Sequence, residues 1–288
     1  MNRKKHYNVK MIYYPETEEC EVQIFNTPIL SPDEHIDRQP VEPDNEEIRA
    51  AREKRNQERN MRRAKKRIFK LARANKWQFW VTLTLDPKKI DRTNYDICVK
   101  KVRNVIKSAV RRYGAELRYL IVPDCHEDGC WHFHGLMSGL GDLADSGRRR
   151  CMGRHDGGEL KQAKYYKTED VPAGMEKVQM VWNWTKFTLG WSTIVELGEE
   201  DSAKTSNYLC NDHLFKGMSA LPKGRKRYFY SKNLNVPEER ELMLRPEEAQ
   251  DLFFSLGDVM THQKAVTVKK NGRIHNRILY AQFKGLVQ

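Results

Sequence analysis

Leu117-Arg-Tyr-Leu-Ile-Val-Pro-Asp-Cys-His-Glu-Asp-Gly-Cys-Trp-His-Phe-His-Gly-Leu-Met137 reads as a chain that folds back on itself. Leu117–Val122 is a short apolar run, Asp124–Cys130 a glycine-containing turn, and Trp131–Ser138 a second strand, so the pair is antiparallel. Upstream, Tyr95–Tyr113 has helical apolar spacing at Ile97, Val99, Val102, Val105, Ile106 and Val110, and Gly114 stops it. Before that helix stands a strand, Gln78–Asp86. Downstream come a Gly- and Arg-rich stretch over 139–165 expected to be a loop, a unit over Met180–Leu197, a helix over Asp201–Lys216 and a strand over Arg225–Tyr230. Helices thus alternate with antiparallel strands, which gives an α+β layer. No GxGxxG or Walker loop argues for a parallel nucleotide-binding sheet.

Around this middle the chain divides into four parts. Residues 1–43 combine a hairpin over 8–25 with a linker carrying Pro28, Pro32, Pro40 and Pro43. Residues 44–76 form one long basic helix, capped by Asp44 or Asn45, in which Glu46–Lys76 holds 13 Lys/Arg against 4 Asp/Glu. Its early part is polar all round, while Ile68, Phe69, Leu71 and Ala72 can dock on a core. Residues 77–235 hold the motifs, and 236–288 form an extension ending in an Asn271-Gly272 hairpin.

The formal net charge is +13 over 288 residues, which disfavours a neutral metabolic enzyme and favours a polyanion partner. Arg62, Arg63, Lys65, Lys66 and Arg67 are candidate phosphate-backbone contacts, although a solvated helix face has the same composition. Six cysteines in a chain of this length, with no apolar leader run, predict free thiols in a reducing cytoplasm. No run approaches the roughly 18 apolar residues of a membrane helix, so no membrane partner is expected.

The chemistry centres on Trp131-His-Phe-His-Gly135. On a strand, side chains alternate, so His132 and His134 share one face, about 6–7 Å apart, and can chelate one divalent ion. The hairpin brings Asp124 back towards them, and two histidines with one carboxylate leave coordination positions open, as catalysis requires. Two other readings stand beside this: packed histidines without metal, and a structural zinc site drawing on Cys125, His126 and Cys130, whose spacing matches no standard zinc finger. In Gln78–Asp86, Thr82, Thr84 and Asp86 take the face opposite Phe79, Val81, Leu83 and Leu85, as DNA-binding or metal-site supports.

The ordered set F-W-V-T-L-T-L-D (79–86), Asp124, H-F-H-G (132–135) and K-T-S-N-Y (204–208) resembles the HUH endonucleases of the rolling-circle replication-initiator type, the Rep proteins of plasmids, single-stranded DNA phages and integrative elements. The resemblance covers roughly 77–235 and extends to Trp182–Leu197 and G-R-K-R-Y-F-Y-S-K-N-L (224–234). It implies a ferredoxin-like or RRM-like antiparallel sheet with helices on one side and the HUH pair on a central strand. It further implies His132, His134 and Asp124 as ligands of a divalent metal, Mn2+ or Mg2+, with Asp124 where the family usually has Glu or Gln. Tyr208 becomes the nucleophile of a single-strand DNA nickase with strand-transfer activity. Its partners would be single-stranded or hairpin origin DNA and host replication proteins such as a helicase, in the cytoplasm of a cell carrying the replicon.

One departure is plain. The family motif Y-x-x-K reads here Tyr208-Leu-Cys-Asn211, so Asn211, a candidate DNA contact, stands where the lysine is expected. Lys204, four residues before Tyr208, shares its helical face and can supply the charge; Lys216 lies two turns away. Competing readings are a nucleic-acid-binding module without nicking and an HUH transposase or relaxase, although relaxases usually place their tyrosine before the histidines. Trp80, Trp131 and Trp182 are candidate stacking surfaces that also suit a core.

Overall fold

The computed structural model describes residues 6–31, 45–198, 206, 209–210, 221, 224–255, 257, 260–270 and 272–284. They fall into two compact units, Gln57–Leu234 and a second made of Met1–Asn56 with Asn235–Gln288. The first elements are the hairpin strands β1 (His6–Tyr14) and β2 (Glu19–Leu30), followed by α1 (Glu46–Arg73).

Asn45 starts α1 by accepting a hydrogen bond from the Glu47 amide at 2.8 Å, and Glu46 and Glu47 occupy the first turn. The helix is exposed from Glu46 to Asn60, then buries Ala64, Ile68, Leu71 and Ala72, the spacing of one docked face. The indole Nε1 of Trp77 donates to the Ala72 carbonyl at 2.7 Å and closes the helix end.

In the unit Gln57–Leu234, β3 (Phe79–Leu85) leads into α2 (Tyr95–Tyr113), then β4 (Arg118–Cys125) and β5 (Trp131–Ser138). The Asn94 side chain accepts from the Ile97 amide at 3.2 Å to cap α2, and Gly114 ends it at φ +65°, a conformation that costs glycine little. The buried stripe of α2 is Tyr95, Cys98, Val102, Ile106 and Ala109; Ile97 and Val110, expected on the apolar face, lie outside it. Tyr95 meets Trp131 edge-on at 4.8 Å, so α2 covers the sheet face that carries Trp131 and Phe133.

The remaining strands are β6 (Leu143–His155), β7 (Gly158–Lys167), β8 (Lys177–Trp184), β9 (Gly190–Glu196) and the short β10 (Phe229–Tyr230). All pairings are antiparallel, in the order β10-β4-β5-β3-β9-β8-β6-β7. The series β4-β5-β3-β9 has the strand order of a ferredoxin-like sheet, and β5 is central. Between β5 and β9, where that fold has a crossover helix, the chain inserts β6, β7 and β8, which widen the sheet. The stretch expected as a loop over 139–165 is therefore mostly two long strands. Both faces of β7 are largely exposed, so the apolar alternation that marks a strand is missing there. The expected strand over 225–230 is confined to Phe229 and Tyr230, and the turn expected over 124–130 is tightest at His126–Gly129.

The other unit is a five-stranded antiparallel sheet in the order β11-β1-β2-β13-β12, completed by β11 (Glu238–Leu242), β12 (Met260–Lys270) and β13 (Arg273–Lys284). A helix, α3 (Pro246–Ser255), adds Ala249 to a core of Val9, Cys20, Val22, Ala281 and Phe283. Segments from both ends of the chain thus share one sheet. β2 runs on past Phe25 into the proline-bearing stretch, where Leu30 pairs with His6 and the Asn276 side chain holds both the amide and the carbonyl of Thr27. Asn271 of the expected turn lies outside the described residues; Gly272 sits at φ +76° beside the Lys270–Arg273 pair.

Candidate metal centre

Strand register builds this site. Thr84 pairs with His132 and His132 with Asp124; one row along, Thr82 pairs with His134 and His134 with Val122. Directly paired residues point to the same face, so both histidines, both threonines and Asp124 stand together, opposite α2. The Oγ1 of Thr82 lies 3.1 Å from Nδ1 of His134, and the Oγ1 of Thr84 lies 3.2 Å from Nδ1 of His132. With each Nδ1 held by a hydroxyl, each Nε2 is left to act as a ligand.

Asp124 is buried, and its Oδ2 stands 3.6 Å from Nε2 of His134 and 3.9 Å from Nε2 of His126. Asp124, His126 and His134 offer ligand atoms that all lie within 4.8 Å of one another. His132 is outside that group, but its ring stacks on His126 with centroids 3.9 Å apart and planes 17° apart. Burial first, then the charges of His126, His134 and Arg92, lowers the pKa of His132 to about 4, against a smaller opposing effect of Asp124. His132 is therefore neutral at pH 7, the state a metal ligand requires.

His126 is the residue that sequence reasoning placed elsewhere, in a structural zinc site with Cys125 and Cys130. Neither cysteine belongs to the close ligand group among the described residues. The available signal was its position two residues after Asp124 in a turn tight enough to reverse the chain. Gly135 has a packing reason: a Cβ there would stand 2.4 Å from the Leu120 carbonyl oxygen, so glycine lets β5 close on β4 beside His134.

The other candidates are distributed as follows. Asp86 takes the Lys88 amide on one carboxylate oxygen at 2.9 Å, at the end of β3. On α1, Arg62, Arg63 and Lys66 are exposed, and Lys65 and Arg67 half-buried. Trp131 is in the core, while Trp80 stacks on the His134 ring at 6.1 Å. Lys204, Tyr208 and Asn211 lie outside the described residues; around them, Ser206, Leu209 and Cys210 are buried, and the Cys210 thiol reaches the Lys65 carbonyl of α1.

The stretch from the start of β3 to the region of Tyr208 can be compared as a whole. Residues 78–211 match the family model of the replication-associated protein ORF2. No curated protein and no solved structure matches the chain. The replication-associated match spans every strand from β3 to β9 and all the histidines and threonines of the site, and it supports a replication-initiator role with DNA as partner. Among the described residues, no helix is long and apolar enough to cross a membrane.

Proposed function

We propose that this protein is a metal-dependent nickase of single-stranded origin DNA that initiates rolling-circle replication. The observation that carries the reading is the pair His132 and His134, each with Nδ1 at a threonine hydroxyl, set beside a buried carboxylate. The donor set fits a divalent cation. Ligands on one ion with bonds of about 2.1–2.2 Å stand roughly 3.1–3.6 Å apart, close to the spacing of Asp124 Oδ2 and His134 Nε2, whereas a direct hydrogen bond would be shorter. His134, Asp124 and either His132 or His126 would hold the ion, with Mn2+ favoured by the imidazoles over Mg2+. When bound, such a cation supplies Lewis-acid polarisation of a non-bridging phosphate oxygen.

The nucleophile in this reading is the Tyr208 phenol. It loses its proton, its oxygen bonds the scissile phosphorus, and the P–O3′ bond breaks as the leaving oxygen takes up a proton. The products are a 5′-phosphotyrosine link and a 3′-OH that primes synthesis; reversal rejoins strands without ATP. Lys204 stabilises charge on the transferring phosphate in place of the lysine that Asn211 replaces. A host helicase would act on the opened origin, in the cytoplasm.

The test is a denaturing gel of the protein with single-stranded origin DNA and Mn2+. A covalent protein–DNA band is expected, absent with EDTA and absent for Tyr208→Phe. Salt-sensitive DNA binding with no adduct under any metal would leave a binding module instead.

A further inference from the structure

Of the six tryptophans, Trp191 is the exposed one, at 57%. It opens β9, and its register partner is Thr84. One cross-strand row therefore runs Asp124, His132, Thr84, Trp191, all on the face opposite α2. With strands about 4.8 Å apart, the Trp191 backbone lies about 10 Å from that of His132 and about 14 Å from that of Asp124.

A single exposed apolar side chain is ordinary on a protein surface. This one is distinguished by its row and by how it is held. A Cβ at Gly190 would stand 2.1 Å from the Thr84 carbonyl oxygen, so glycine lets β9 press against β3 immediately before the indole. The Asp86 amide donates to the Leu189 carbonyl at 2.9 Å and pins the same junction. A rigid strand thus presents a large aromatic face to solvent beside a ligand cluster, on a chain of net charge +13.

We propose that Trp191 is a nucleobase-stacking subsite, holding a base of the single strand whose phosphate lies at the His132–Asp124 end of the row. The subsite rests on the nickase reading for its substrate, but it binds bases whether or not metal is present. Stacking on an aromatic side chain tolerates any base and responds to truncation of the ring.

The test uses the full chain in EDTA with a short fluorescein-labelled thymidine oligonucleotide. Trp191→Ala should raise Kd about 5- to 150-fold, Trp191→Phe should retain most of the affinity, and an oligonucleotide of abasic sites should erase the difference between wild type and Trp191→Ala. DNA should also quench the wild-type indole emission, and Trp191→Phe should lose most of that quenching. Wild-type affinity and retained quenching in the variants overturn the subsite, as does a wild-type protein that binds no oligonucleotide. Because metal is absent, a failed adduct assay with an intact Trp191 effect sinks only the nicking reading.

Discussion

Each imidazole of the H-x-H pair lends one nitrogen to a threonine and keeps the other for the site, so the threonines set which nitrogen is available. Thr82→Val and Thr84→Val should each weaken Mn2+ affinity about 10- to 100-fold by calorimetry, with Thr→Ser close to wild type, since only the hydroxyl matters. His126→Ala and His132→Ala separate the two candidate third ligands: the larger loss of Mn2+ affinity should fall on His126, whose Nε2 faces the Asp124 carboxylate. Equal affinity in His126→Ala would remove that residue from the site. Much of this row was legible beforehand, because period-two alternation alone puts His132 and His134 on one face and Thr82 and Thr84 on another strand's matching face. His126 was not, because turn residues obey no such period, and its ring is placed by the reversal at His126–Gly129. The exposure of Trp191 was hidden for a different reason: four aromatic side chains lie within 182–191, and spacing does not say which of them the core takes.

Among the elements, those with one clean apolar stripe matched expectation, and those exposed on two sides did not. The limits of α2 coincide with the expected helix, with Asn94 as its cap; Asn94→Ala should cost about 1 kcal/mol in thermal unfolding. β6 and β7 carry arginines and lysines on both faces and so resemble a loop in composition. In the other sheet, β1 and β11 are tied by Lys10, whose Nζ lies 2.6 Å from Glu239 and 2.9 Å from Glu241 while its side chain is 7% exposed. Burial opposes the Lys10 charge, but hydrogen bonds to Glu239 and Glu241 outweigh it and raise the pKa. Burial likewise pushes Glu241 up, and hydrogen bonds with Lys10 and Ser31 outweigh it and hold the pKa down. The raised lysine stabilises the fold below its unfolded pKa near ~10.4 and loses that effect as pH climbs through the folded value. The depressed glutamate stabilises above ~4.3 and loses its effect as pH falls through the folded value, so the cluster works at full strength between about pH 5 and 10. Lys10→Met leaves two carboxylates together and should destabilise this sheet by about 3 kcal/mol, read as faster amide exchange in β1 and β11.

At the scale of the molecule, charge and connectivity decide behaviour. Reversing Arg62, Arg63, Lys65, Lys66 and Arg67 to glutamate should weaken DNA binding for all sequences alike. It should also flatten the slope of log K against log salt, on single strands, by about 0.7 for each phosphate that the helix no longer neutralises. A changed sequence preference at constant affinity would mean that α1 reads bases. Composition made that basic helix visible, but not the sheet to which both ends of the chain contribute, since pairing between distant segments leaves no local pattern. Deleting residues 260–288 strips β12 and β13 from that sheet and should abolish exchange protection in β1 and β2 while Mn2+ binding persists. The same connectivity sets a clock during synthesis. Phe25 pairs with Ile278, 253 residues later, so at ~5–20 residues per second its partner leaves the ribosome about 13–50 s after it. Throughout that interval the newborn β2 shows a bare hydrogen-bonding edge to every other nascent chain, and slower growth at lower temperature, with fewer such chains present together, should raise the yield of folded protein.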